Sequence, residues 1–198
     1  MSSKLLNVIN LSGKPYIQGA CVIRALLATI SPNATNFSMK FTKPQHFTPI
    51  LHYTVERTRV ENATVVGSYI LDGHQYFFHL LDSDIPCKTI DFDGDAVQSR
   101  IVKIEDTWHL DLQGEDPQIC WNEVARKTNL AYFREHYPGT NDKRMILAGV
   151  DYLSLQFLAE PAISVGLSYS FDIIKERCIR RNAFYNGKIV GTRHSIYG

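Results

Sequence analysis

Residues 16–30 read Y-I-Q-G-A-C-V-I-R-A-L-L-A-T-I, and Ile17, Ala20, Cys21, Val22, Ile23, Ala25, Leu26, Leu27, Ala28 and Ile30 leave almost no polar face. A helix that is apolar nearly all round has to be buried on nearly all sides, so whatever follows must enclose it. Ser31-Pro32-Asn33 stops the helix. An extended piece over 37–41 comes next, and 50–59 then alternates Leu51, Tyr53 and Val55 against His52, Thr54, Glu56 and Thr58, the pattern of a half-buried strand. Glu61-Asn62 marks a turn, 63–71 is a β-branched strand, Asp72-Gly73 is a hairpin signal, and 75–81 closes an antiparallel meander.

The same plan is expected again downstream. Residues 145–158 (M-I-L-A-G-V-D-Y-L-S-L-Q-F-L) form a second nearly all-apolar run, expected as a buried helix stopped by Glu160-Pro161. Strands are expected over 163–173 and 177–185, then an Asn186-Gly187 turn and a last strand over 188–196. The stretch between, 83–143, is polar and less periodic, with strands expected over 98–104 and 107–112 and a short helix over 121–127. Two helix-plus-meander units divide the chain at 1–85 and 86–198, the second including the linker.

With 198 residues the chain can bury a substantial core. Its 21 basic and 20 acidic residues give no broad pull toward nucleic acid or an anionic membrane, so neither is expected as a partner. No apolar run approaches the roughly 20 residues of a membrane span, and the start M-S-S-K-L-L-N-V-I-N-L-S is too short and polar for a signal peptide, which points to a cytoplasmic protein. Cys21, Cys87, Cys120 and Cys178 lack a C-x-x-C pair and are expected to be reduced and mostly buried. The histidines show no ligand spacing, so no metal and no other cofactor is expected; a P-loop, a dinucleotide glycine pattern and a G-x-S-x-G elbow are missing.

The ordered blocks of the first half carry a resemblance. G-A-C-V-I-R-A-L at 19–26, N-F-S-M-K-F-T-K-P at 36–44, V-E-R-T-R-V-E-N-A-T at 55–64 and D-G-H-Q-Y-F-F at 72–78 resemble, with consistent spacing, the N-terminal half of the acyl-CoA thioesterase II (TesB-like) double-hotdog family. Arg24 stands where that family has glutamine. The resemblance implies an α+β double hotdog: two long buried helices, each wrapped by an antiparallel meander, with the sheets joined edge to edge. It also implies an acyl thioester hydrolase acting on acyl groups carried by coenzyme A or an acyl carrier protein; a homodimer is the assembly left open.

In the second half the resemblance places the family's carboxylate on Asp151 (L-A-G-V-D-Y-L) and its hydroxyl on Ser164 (S-V-G-L-S-Y-S-F). It puts the glutamine position on Ser195, a departure, with His194 beside it. Gly149, Arg24, Tyr152 and Ser168 complete the set as substrate-binding candidates. Counted from Gly149, the second unit is shorter than the first by about one strand and its turn.

Thioester hydrolysis needs a group that orients or deprotonates water and donors for the oxyanion on the carbonyl. On an apolar helix, Asp151 would suit the first role, with backbone N–H groups of 148–150 for the second; the same acid could instead be a first-turn residue favouring the helix dipole. Arg24 reads as a structural partner for an inward acid, or as a snorkelling surface residue, ahead of any catalytic role. Alternation sets Ser164, Gly166, Ser168 and Ser170 on one strand face opposite Val165, Leu167, Tyr169 and Phe171, either a tunnel wall beside the helix or a solvated face. His136-Tyr137-Pro138-Gly139 is similar to the H-F-P-G of hotdog acyl-carrier-protein dehydratases, which makes His136 the alternative catalytic residue. The other readings are therefore a dehydratase, isomerase or cyclase of a biosynthetic pathway, and a non-catalytic acyl-binding protein.

Overall fold

The computed structural model describes residues 2–13, 16–136, 145–174 and 178–197. In chain order the elements are β1 (Ser2–Leu5), β2 (Ile9–Leu11), α1 (Gly19–Leu27), β3 (Thr35–Phe41), β4 (Pro49–Thr54), β5 (Val65–Leu71), β6 (His74–Asp82) and β7 (Lys88–Ile90). There follow α2 (Gly94–Ser99), β8 (Val102–Ile104), β9 (Thr107–Asp111), α3 (Pro117–His136), β10 (Met145–Ser154), a 3-10 turn (Gln156–Ala159), β11 (Ser164–Ile174), β12 (Cys178–Tyr185) and β13 (Lys188–Tyr197). They group into two compact units, Met1–Phe92 with Gly149–Glu160, and Asp93–Ala148 with Pro161–Gly198.

In the first unit the strand order is β1-β4-β6-β5-β3-β10, antiparallel throughout. The register sets Tyr152 opposite Phe37, Val150 opposite Met39, Met39 opposite Gly67 and Leu80 between Leu51 and Val65, so one face of the sheet is lined by large apolar side chains. Phe37 stacks on Phe78 and on Tyr152, with centroids 5.8 and 5.9 Å apart. Against that face lies α1, whose Ala20, Cys21, Val22, Ile23, Ala25, Leu26 and Leu27 are all buried. Arg24 is exposed and sits in the last turn, where a cation favours the negative end of the helix dipole. The rod and its meander are as the alternation predicts, and the Asp72-Gly73 hairpin takes positive φ at both residues, 51° and 77°.

The second unit repeats the principle with a different helix. Its strands run β13-β12-β11-β9-β8, again antiparallel, and the enclosed helix is α3, which buries Ile119, Cys120, Trp121 and Val124. Asp116 caps it by accepting from the N–H groups of Gln118 and Ile119, and Pro117 occupies the first turn, where its missing N–H costs nothing. Each unit is thus a hotdog, a buried helix wrapped by antiparallel strands.

Several expectations are corrected. The apolar run 145–158 is not a helix: it is β10 followed by the 3-10 turn, and β10 pairs with β3 from Gly149 to Ser154. A strand with partners and core around it is as continuously apolar as a buried helix, and periodicity alone does not separate the two. The helix expected over 121–127 is instead the long α3, and 98–104 holds the end of α2 before β8 rather than one strand. The shortening of the second unit, counted from Gly149, falls with the misplaced helix.

Gly149 is needed where it stands. A Cβ there would lie 2.5 Å from the Met39 carbonyl oxygen, backbone that cannot swing aside. Gly149→Ala is expected to cost about 1–3 kcal/mol, the usual range for overpacking, read as a lower urea midpoint with an unchanged slope.

On the other face of the first sheet His52 and His79 are cross-strand partners with rings stacked at 5.0 Å. Burial, aided by His52, holds the His79 imidazole below its ordinary range. The unfolded chain therefore takes up a proton that the folded one resists. Stability is fully present above about pH 6.5 and falls as acid carries the solution through the lowered folded value. His79→Gln is expected to flatten that decline in chemical denaturation between pH 7 and 5.

Candidate functional site

Asp151 sits on β10 directly opposite Ser38 of β3, and Ser38 is in turn opposite Ser68 of β5. All three are half-buried and alternate with core residues, so they occupy the sheet face turned away from α1. Ser38 Oγ donates to Asp151 Oδ1 at 2.5 Å, a short charge-assisted bond. The acid therefore has an identified neighbour, but on a strand and not on a helix. Because the backbone of 149–152 is paired in the β3 ladder, the helix-start N–H groups expected there as oxyanion donors do not exist. Tyr152, one residue on, points the other way into the core, 1% exposed between Phe37 and Phe157.

In the second unit the candidates separate. Val165, Leu167 and Tyr169 of β11 face α3, and the Tyr169 hydroxyl donates to the Thr128 carbonyl at 2.5 Å. The serine face is thus the one away from the helix. Ser164 begins β11, with its carbonyl on Asn186 N–H, and Ser168 accepts from Asn182 at 3.4 Å. Ser195 lies opposite Ile179, at the far end of β12 from Asn186, which leaves roughly 20 Å of strand between Ser164 and Ser195. Those two hydroxyls do not meet. His194 points to the opposite face from Ser195 and contacts Thr192 Oγ1 at 3.2 Å. His136 ends α3, and the rest of its four-residue motif lies outside the described residues.

Ser195 has other company. It lines a cavity of about 20 Å³ with Arg181, Arg193, Leu147 and one stripe of α3, namely Asn122, Ala125, Arg126 and Asn129. That volume holds about one water. Arg181 and Arg193 are 1% and 2% exposed, although arginine is seldom buried. Arg181 donates to Asn129 Oδ1 and, at 3.4 Å, to Ser195 Oγ; Arg193 donates to Gln118 Oε1 at 3.0 Å. The guanidinium carbons lie 5.5 Å from the Tyr169 ring centre and 5.4 Å from that of Trp121. Neither arginine stood out in the sequence. Each occupies an inward slot of an alternating strand, R-R-N-A-F-Y and V-G-T-R-H-S, and that phase was the available signal.

The nearby nucleophile is inert. Cys120 on α3 is fully buried, and burial pushes its thiol up to about 12. Among the described residues no three His, Cys, Asp or Glu side chains gather as metal ligands, and no helix is long and apolar enough to cross a membrane.

No protein-family profile matches the sequence, and no curated protein does. Solved structures do. A putative thioesterase II from Thermobifida fusca YX is 12% identical with a TM-score of 0.47, over 99% of this chain and 91% of that one. The tesB protein of Mycobacterium avium subs paratuberculosis is 9% identical with a TM-score of 0.46, over 96% and 91%. The dehydratase domain of PpsC from Mycobacterium tuberculosis, solved with C12:1-CoA, is 10% identical with a TM-score of 0.46, over 92% and 85%. At these identities and scores the likeness carries no residue's role across to this chain.

Proposed function

We propose that this chain binds acyl thioesters, carried on coenzyme A or an acyl carrier protein, and hydrolyses them, with Asp151 as the carboxylate that handles the attacking water. The observation that carries the assignment is the 2.5 Å bond from Ser38 Oγ to Asp151 Oδ1 at a half-buried position. Ser38 fixes one carboxylate oxygen and so orients the group for work on a water. Water held there would attack the carbonyl carbon as Asp151 takes its proton; the carbon–sulfur bond then breaks, and the proton passes to the departing thiolate. A free acid and a free thiol result.

Within the second unit, Ser195 in the arginine-lined cavity is the hydroxyl that the geometry favours over Ser164. A cytoplasmic setting and a homodimer belong to the same reading. Thiol release from a series of acyl-CoA thioesters tests it: turnover by the purified chain is expected. Ligand-induced stabilisation without turnover would make it a binding protein, and dehydration of a 3-hydroxyacyl thioester that depends on His136 would make it a dehydratase.

A further inference from the structure

Two histidines that stand far apart in the sequence meet on the sheet face turned away from α1. His52 of β4 and His79 of β6 are direct cross-strand partners, a placement that sets Cβ atoms about 4.5–5.5 Å apart. Their ring centroids are 5.0 Å apart and the planes lie within 6° of parallel. His79 is 7% exposed, yet neither ring makes a hydrogen bond among the described residues. A buried polar side chain ordinarily has a partner, and stacking on His52 supplies packing without one. The imidazole nitrogens are not sealed from solvent as the indole nitrogen of Trp108 is.

We propose that His52 and His79 form a two-imidazole clip for a divalent cation of nitrogen-seeking character, Cu2+, Ni2+ or Zn2+. Metal–nitrogen bonds of about 2.0–2.1 Å need the two donor nitrogens roughly 3 Å apart, which side chains rooted this close together reach by turning their rings edge-on to a shared point. Water fills the remaining positions. The surroundings select among ions. Ser3 lies opposite His52, Val66 lies opposite His79, and the pairs Ile50–Leu81 and Thr54–Phe77 flank them along the strands. None of these six carries a charge, so the oxygen-rich anionic cage that Ca2+ and Mg2+ prefer is missing from this part of the face. The clip is independent of the thioester reading, since neither histidine takes part in the chemistry given to Asp151 and Ser38.

Its test reads metal binding alone. The full-length chain, free of any histidine tag, is titrated with the chlorides of Cu2+, Ni2+ and Zn2+, and with Mg2+ as the contrast. One-to-one binding of the first three and a thermal midpoint that climbs with Zn2+ concentration are expected, with no response to Mg2+. The paramagnetic resonance spectrum at one equivalent of Cu2+ should show nitrogen ligation. His52→Gln and His79→Gln should each weaken binding about tenfold or more, because the second imidazole of a chelate binds as an intramolecular ligand. His74→Gln, on the exposed hairpin, should leave it unchanged. A natural chain that shows no nitrogen ligation of Cu2+ and no shift with Zn2+ would overturn the clip without any variant. Undiminished affinity in folded His52→Gln or His79→Gln would overturn it as well.

Discussion

Trp121→Ala is expected to lower the stability of the protein by about 3–5 kcal/mol, the usual cost of emptying a buried tryptophan site. The side chain is 0% exposed in the second turn of α3. Its indole N–H donates to two strands at once, to the Gly166 carbonyl at 3.0 Å and to that of Phe184 at 3.1 Å. Its ring meets Tyr185 at 5.9 Å and carries Arg193. Alanine would lose the packing, strip the donor from both carbonyls and expose a buried cation to a void. Against a total of about 5–15 kcal/mol for a typical domain, that is a large share. Trp121→Phe separates the causes: it keeps most of the ring and forfeits the N–H, so about 1–2 kcal/mol should go. Urea denaturation followed by circular dichroism measures both. If Trp121→Ala were as stable as the natural chain, α3 would not be the enclosed helix of the second unit.

The first unit was legible because its signals agree. The run over 16–30 is too long for an ordinary strand, the strands after it alternate, and Asp72-Gly73 supplies a turn that needs positive φ. In the second unit the local signals conflict. β10 is lined by Val150 and Tyr152 on its core side and by Gly149 on the other, so it looks apolar throughout and passes for a helix. Meanwhile α3 hides its helical period, because Gln118, Glu123, Thr128 and Asn129 are buried among its apolar residues. Asp116-Pro117 was the readable clue, an N-cap followed by proline at the first position.

The candidate site was less legible than the fold. Asp151 could be picked out as an acid in an apolar run, yet its partner Ser38 is 113 residues away in sequence and is brought to it only by the β3–β10 register. The arginine pair is invisible without knowing that β12 and β13 are neighbours in the register that sets Arg181 against Arg193.

Asp151→Asn is expected to cut thioester turnover about 10²–10⁴-fold, the usual contribution of a positioned general base. The side chain keeps its shape and still accepts from Ser38, so the fold and the thermal midpoint should barely change. Ser38→Ala should cost less, because the base remains and only its orientation loosens. The direct measurement is kcat/KM for thiol release from an acyl-CoA thioester by the natural chain and by Asp151→Asn, with circular dichroism to certify the fold of each. A collapse of kcat/KM in a folded Asp151→Asn variant is the predicted result. Equal turnover by the two proteins would contradict the account.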